Sequence, residues 1–180
     1  MISKLARFFR NALSRESSAK VTLAEELRVQ LEYLNIELTR FPDRLRWSTH
    51  LEPGLDNALV PHLILQPLFE NAIKHGVART CAPVQLQLTA VRRSGLLILT
   101  LENGVKGVRL TPGMTRAACS PGSKPDPQEP EPREQAGEGV GLENVARRLQ
   151  SFYGSAAGLS AVRREGRFTV ELRLPIELTL

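Results

Sequence analysis

The segment Glu70-Asn71-Ala72-Ile73-Lys74-His75-Gly76 carries the side chains best suited to chemistry. On a helix, Asn71, Lys74 and His75 stand at i, i+3 and i+4 and share one face. An amide oxygen suits a hard cation such as Mg2+, which prefers oxygen ligands. An ammonium suits phosphate oxygens. Together they could hold a metal-bound polyphosphate. The same spacing also admits a plainer reading, a solvated face on which Glu70 and Lys74 form an i, i+4 ion pair.

Two further segments could serve a ligand. Gly137-Glu138-Gly139-Val140-Gly141-Leu142 places three alternate glycines before a helical pattern. Glycine lets backbone approach a ligand closely, and a helix start offers unpaired N–H groups to an anion. A dinucleotide fold would need a strand just before these glycines; a proline-rich stretch precedes them instead. A bare loop end is the alternative. Glu102-Asn103-Gly104 follows the apolar run Leu96 to Leu101. A carboxylate at the end of a buried strand can accept a hydrogen bond from an adenine amino group. Asn-Gly is also a common turn pair.

Elements that could position these groups follow from periodicity. Thr22 and Glu25 form a capping-box pattern, after which Leu23, Leu27, Leu31, Leu34, Leu38 and Phe41 make one apolar stripe on a long helix. Pro42 and Asp43 end it. Before it, Leu5, Phe8, Phe9 and Leu13 suggest a short helix. Leu45 to Leu51 reads as a strand. Val60 to Gly76 reads as helical: Pro61 suits a first turn, and Pro67 either kinks one helix or lies just inside a second that begins near Gln66. Val84 to Val91 and Leu96 to Leu101 are strands joined by Arg-Arg-Ser-Gly, the second apolar enough to be buried on both faces. Thr111 to Glu134 holds six prolines and no aliphatic residue larger than Met114 apart from alanines, and reads as a mobile loop. Val140, Val145, Leu149 and Phe152 mark a helix stopped by Gly154. Leu159 to Arg164 and Phe168 to Pro175 form a hairpin. Paired strands with helices on one face define an α+β, two-layer sandwich with a mixed sheet.

Bulk properties narrow the function classes. The 180 residues fit one domain with an appendage, at 42% hydrophobic and 24% charged. No apolar run approaches the roughly 20 residues of a membrane span, and Arg7, Arg10 and Asn11 interrupt any signal-peptide core. Cys81 and Cys119 lack metal-type spacing, which favours a reducing, cytoplasmic setting. The formal charge is +5, but residues 1–20 hold five basic residues against Glu16 alone and so carry four of the five. That location argues against nucleic-acid binding and for a basic amphipathic stretch touching a membrane or a partner helix.

The order and spacing of these segments resemble the catalytic half of LytS-type sensor histidine kinases, within the GHKL ATPase superfamily. Leu65 to Gly76 (LQPLFENAIKHG) looks like that family's N box. Gly137 to Leu149 (GEGVGLENVARRL) looks like its second glycine box. Val21 to Leu45 looks like the helix joining the dimerisation part to the ATPase part. The resemblance implies a Bergerat-type sandwich that holds ATP between a helical layer and a lid at about residues 107–136. Residues 1–20 would be a remnant of the dimerisation region and 21–180 the ATP-binding domain. Glu70 and Asn71 become the catalytic candidates, with Asn71 the Mg2+ ligand. Lys74 and His75 would lie near the phosphates, and Gly137, Gly139, Gly141 and Leu142 on the phosphate-side turn. Glu102 would stand for the adenine-reading aspartate, with Gly104 after it.

Three departures from the family pattern stand out. The family has aspartate followed by glycine two and four residues later; here glutamate replaces aspartate, Lys106 takes the second glycine's place and Gly107 comes one residue late. The extra methylene changes the reach of the carboxylate by more than about 1 Å. The proline-rich lid is long. The phosphoacceptor histidine of the family lies upstream of the residues matching Leu5 to Leu13, and His50, His62 and His75 do not resemble it. The expected function is therefore transfer of the ATP γ-phosphate to a histidine on another segment or chain, with a response regulator downstream and at most a weak homodimer. The alternative is a degenerate, non-catalytic interaction domain of the same fold.

Overall fold

The computed structural model describes residues 19–40, 44–75, 83–105, 140–164 and 167–179, with backbone alone at Arg40, His75, Val105 and Val140. The short helix expected around Leu5 to Leu13, the stop at Pro42 and Asp43, both cysteines and the proline-rich lid lie outside them. A three-residue strand β1 (Lys20–Thr22) leads into helix α1 (Leu23–Arg40). Strands β2 (Leu45–Leu51) and β3 (Leu59–Pro61) follow, then helix α2 (Gln66–His75). The long strands β4 (Val84–Arg93) and β5 (Leu96–Val105) precede helix α3 (Val140–Tyr153), and β6 (Gly158–Arg164) and β7 (Arg167–Pro175) complete the set.

Five strands form one sheet in the order β2-β4-β5-β7-β6. β2 runs parallel to β4, from Leu45 opposite Val84 to Leu51 opposite Ala90; the other neighbours are antiparallel. Ser94 and Gly95, at φ +48° and +79°, make the β4–β5 turn. Two positive φ values are what a two-residue hairpin needs to match the strand twist. Helices cover one face of this sheet. Leu86, Leu88 and Ala90 of β4, Leu97, Leu99 and Leu101 of β5, and Val170, Leu172 and Leu174 of β7 form a core with Leu68, Phe69 and Ile73 of α2 and Val145 and Leu149 of α3. Trp47 of β2 meets Phe69 with ring centroids 5.2 Å apart. The architecture is the expected α+β two-layer sandwich. β5, however, is buried on one face rather than two, because Ile98 and Thr100 alternate outward between its buried leucines.

α1 begins with the capping box read from the sequence: Thr22 N donates to Glu25 Oε2 and Glu25 N to Thr22 Oγ1, both at 3.2 Å. Its apolar stripe is incomplete. Leu23, Leu27 and Leu34 are buried, whereas Leu31 is 41% exposed. Glu26 and Gln30 are fully buried instead. Pro61 belongs not to a helix but to β3, which pairs antiparallel with β1. The helix starts at Gln66 with Pro67 in its first turn, where a missing N–H costs no hydrogen bond.

The loop between β3 and α2 explains the buried glutamate. Leu63 has φ +59°, a left-handed conformation that is costly for a branched aliphatic residue. Glu26 accepts hydrogen bonds from Leu63 N at 2.7 Å and Leu65 N at 3.0 Å. One carboxylate thus fixes the turn from which α2 departs. Among the described residues no helix is long and apolar enough to cross a membrane.

Candidate functional site

α2 and α3 pack against one another at the level of Asn71. A Cβ placed on Gly141, in the first turn of α3, would lie 3.5 Å from Asn71 Nδ2, 3.9 Å from Asn71 Oδ1 and 3.8 Å from Pro67 Cβ. The α3 N-terminus therefore rests beside the Asn71 amide. The first N–H groups of a helix lack intrahelical acceptors and carry partial positive charge. Asn71 is half-buried and Lys74, one turn on, is exposed. The Asn71 amide and the α3 N-terminus are thus brought together, with Lys74 one turn further along α2.

The donor set suits a metal-bound polyphosphate. Asn71 makes no hydrogen bond among the described residues, so its amide oxygen is open to a hard cation. The glycine at position 141 keeps the space beside it clear. Leu142 packs its half-buried side chain against the core. Glu70 is exposed and accepts from Gln66 Nε2 at 2.7 Å. Its ion pair with Lys74, the plainer reading of this face, does not form among the described residues. Gly137, Gly139 and the His75 side chain lie outside the described residues.

The structure does not bring Glu102 and Gly104 into this group. Both are residues of β5 rather than of a turn, paired with Gln87 and Gln85 on β4 and with Thr169 and Arg167 on β7. Alternation along β5 puts Leu97, Leu99, Leu101 and Asn103 on the helix-covered face and Thr100, Glu102 and Gly104 on the other. Glu102 Oε1 accepts from Arg167 Nη1 at 3.1 Å. A Cβ on Gly104 would meet Arg167 Cγ at 3.2 Å, so glycine there makes room for the arginine. Glu102 and Gly104 thus serve an ion pair on the far side of the sheet.

The residue of β5 that faces the helices is Asn103, 4% exposed. Its Nδ2 donates to Ala72 O at 2.8 Å. Ala72 carries one of the last four carbonyls of α2, which the helix itself leaves unpaired. The sequence held a signal for this residue. Thr100 is the polar member of Leu96 to Leu101, and it fixes the phase that sends Leu101 and Asn103 inward.

The fold is that of a histidine kinase catalytic domain. The solved catalytic domain of histidine kinase ThkA superposes with a TM-score of 0.54 at 10% identity, over 87% of this chain and 95% of that one. The sequence relatives narrow the class. The sensor protein LytS of Staphylococcus haemolyticus is 29% identical over 97% of this chain, and the sensor histidine kinase BtsS of Escherichia coli K12 is 30% identical over 97% of it. The family model described as histidine kinase matches residues 1–45. The chain spans 28% and 27% of the lengths of those two relatives. Its relatedness is thus to LytS-type sensor histidine kinases, in a part that has the kinase catalytic-domain fold.

Proposed function

We propose that this domain binds Mg-ATP between α2 and α3 and passes the γ-phosphate to a histidine supplied from outside this chain. The observation that carries the reading is the position of Asn71, whose amide has no partner among the described residues and lies against the N-terminus of α3. Asn71 is assigned the metal, and Lys74 and the α3 N–H groups around Gly141 and Leu142 the phosphate oxygens. His75, Gly137 and Gly139 extend this phosphate side in the sequence. Bound Mg2+ would offset charge on the transferring group, as in phosphoryl transfer generally. Glu70, the only carboxylate on α2, is assigned to accept a proton beside the phosphate site. His50 is exposed on β2 and His62 is buried, so neither is offered as the acceptor.

Residues 1–20 are assigned to the dimerisation side and 21–180 to ATP binding. A response regulator is proposed as the downstream partner, and the cytoplasm as the setting. Calorimetric titration with a non-hydrolysable ATP analogue, with and without Mg2+, tests the site. Magnesium-dependent binding that disappears in Asn71→Ala, with the thermal transition retained, is the expected result. An intact fold that binds no nucleotide would overturn the reading in favour of a non-catalytic interaction domain.

A further inference from the structure

α1 grips both helices that bound the proposed nucleotide site, and it does so away from the site itself. Leu63 N and Leu65 N, the donors that lead into α2, close on the Glu26 carboxylate at 2.7 and 3.0 Å. Glu26 is fully buried, so those bonds have no solvent substitute. Burial raises the Glu26 carboxyl and lowers the Arg148 guanidinium of α3, and each charge opposes that shift in the other. The same carboxylate thus attracts α3. Lys20 of β1, three residues before α1, stands over the ring of Tyr153, the last residue of α3. β1 adds backbone ties to the loop ahead of α2: His62 N donates to Ala19 O at 3.1 Å, and Leu23 N to Ala58 O at 2.7 Å. Leu63 is kept at φ +59° among these ties, and strain of that kind persists only where the surroundings over-determine it. Asn71 lies six residues beyond Leu65, roughly 9 Å along α2, and Gly141 seven residues before Arg148, roughly 10 Å along α3.

We infer that Glu26 is a positioning residue for the nucleotide site: from α1 it sets the placement of α2 against α3, so that a shift of α1 moves Asn71 relative to Gly141. This rests on the proposed nucleotide site. Glu26 touches no nucleotide and acts only through the two helices. Its place in the chain gives it a regulatory use. Whatever precedes Ala19 reaches the domain through β1 and α1, which lie within residues 1–45. Close-packed interiors transmit strain rather than absorb it, so a displaced carboxylate carries the first turn of α2 with it. The coupling is reciprocal: nucleotide between α2 and α3 strengthens the ties at Glu26 by as much as those ties favour the nucleotide.

Calorimetric titration of the whole chain with Mg-ADP compares wild type, Glu26→Gln and Gly95→Ala, each where circular dichroism shows the fold complete. Glu26→Gln should bind roughly threefold or more weakly. Gly95→Ala strains the β4–β5 turn without touching α1, and its affinity should equal that of wild type, which separates positioning from loss of stability. Wild-type affinity in Glu26→Gln, or the same weakening in Gly95→Ala, overturns the inference and leaves the nucleotide site standing. A wild type that binds no Mg-ADP removes the site and the inference together. Amide exchange on the wild type decides the matter if Glu26→Gln does not fold. An amide that exchanges by local opening responds to a ligand only when that opening also weakens the ligand's site. Mg-ADP should slow His62, Leu63 and Leu65 together and leave Ile176, whose N–H donates to Gly95 O, unchanged. Unaltered exchange at Leu63 and Leu65, or equal slowing at Ile176, overturns the inference.

Discussion

Glu26→Gln separates two properties of the buried carboxylate, its hydrogen bonding and its ionisation. Glu26 uses both oxygens, Oε2 toward Leu63 N and Oε1 toward Leu65 N. Glutamine offers one oxygen and one NH2, so one backbone N–H must face another donor. Leaving one buried donor unsatisfied costs about 1–3 kcal/mol, and about 2 kcal/mol corresponds to roughly 4–8 °C in Tm for a domain of this size. Ionisation works in the opposite sense. Burial pushes the Glu26 carboxyl above its usual value of 4.5, against the backbone donors of Leu65 and Leu63, the charge of Arg148 and the Gln30 side chain, which all lower it. The folded state therefore holds this proton more tightly than the unfolded chain. The resulting stability is complete below pH 4.5 and is lost as pH rises through the raised value. Glutamine has no such loss. Urea unfolding followed by circular dichroism from pH 5 to 9 should show the variant weakest relative to wild type at pH 5, with the gap narrowing as pH rises. Parallel curves would refute the raised carboxyl, and a variant within about 0.5 kcal/mol of wild type at pH 5 would refute the assignment of both oxygens to the α2 turn.

Three shorter predictions follow from other positions. Gly141→Ala should raise stability by up to about 1 kcal/mol in thermal melts, because its Cβ meets Asn71 and Pro67 only at ordinary contact distance; the bulkier Gly141→Val should crowd Asn71 and weaken nucleotide binding in the titration above. Tyr153 is raised to about 12, by burial first and the Glu177 charge second. Its contribution to stability should persist below pH 10 and be lost as pH rises through about 12, with tyrosinate absorbance near 295 nm reporting the ionisation. Gly95→Ala should cost about 1 kcal/mol in chemical denaturation, since φ +79° suits glycine and the space around it is otherwise open.

Much of the fold was legible because local patterns were unambiguous. The capping box of Thr22 and Glu25 forms reciprocally, β2 matches its expected span, and Gly154, at φ +57°, follows the end of α3. Pro61 misled because proline suits both a helical first turn and an edge pairing, and only the β1 strand decides between them. Leu31 and Glu26 misled for a related reason. Apolar spacing predicts which helix face is covered, yet the loop at Leu63 covers a different part of α1 and demands an acceptor there. The Asn71 helix was legible as a motif, but its contact with Gly141 joins elements 70 residues apart in the chain. Phase along β5 sets Glu102 on the face away from the helices. A carboxylate matched the expected chemistry, whereas side-chain direction in a strand depends on parity, and Glu102 lies one residue out of step.

β1 has a consequence for how the domain is strung together. Lys20 Nζ meets both carboxylate oxygens of Glu177 at 2.7 Å and lies 4.5 Å from the Tyr153 ring centroid. Leu59 N bonds Glu177 O at 2.7 Å, and Ala58 bridges Leu178. The first described strand and the residues just after the last one are thus clasped at one point, so the described part of the chain ends where it begins, almost as a ring. A ring has no privileged starting point. A short linker across this clasp would let the chain be reopened elsewhere, for instance in the exposed turn at Ser94 and Gly95, while every strand keeps its neighbours.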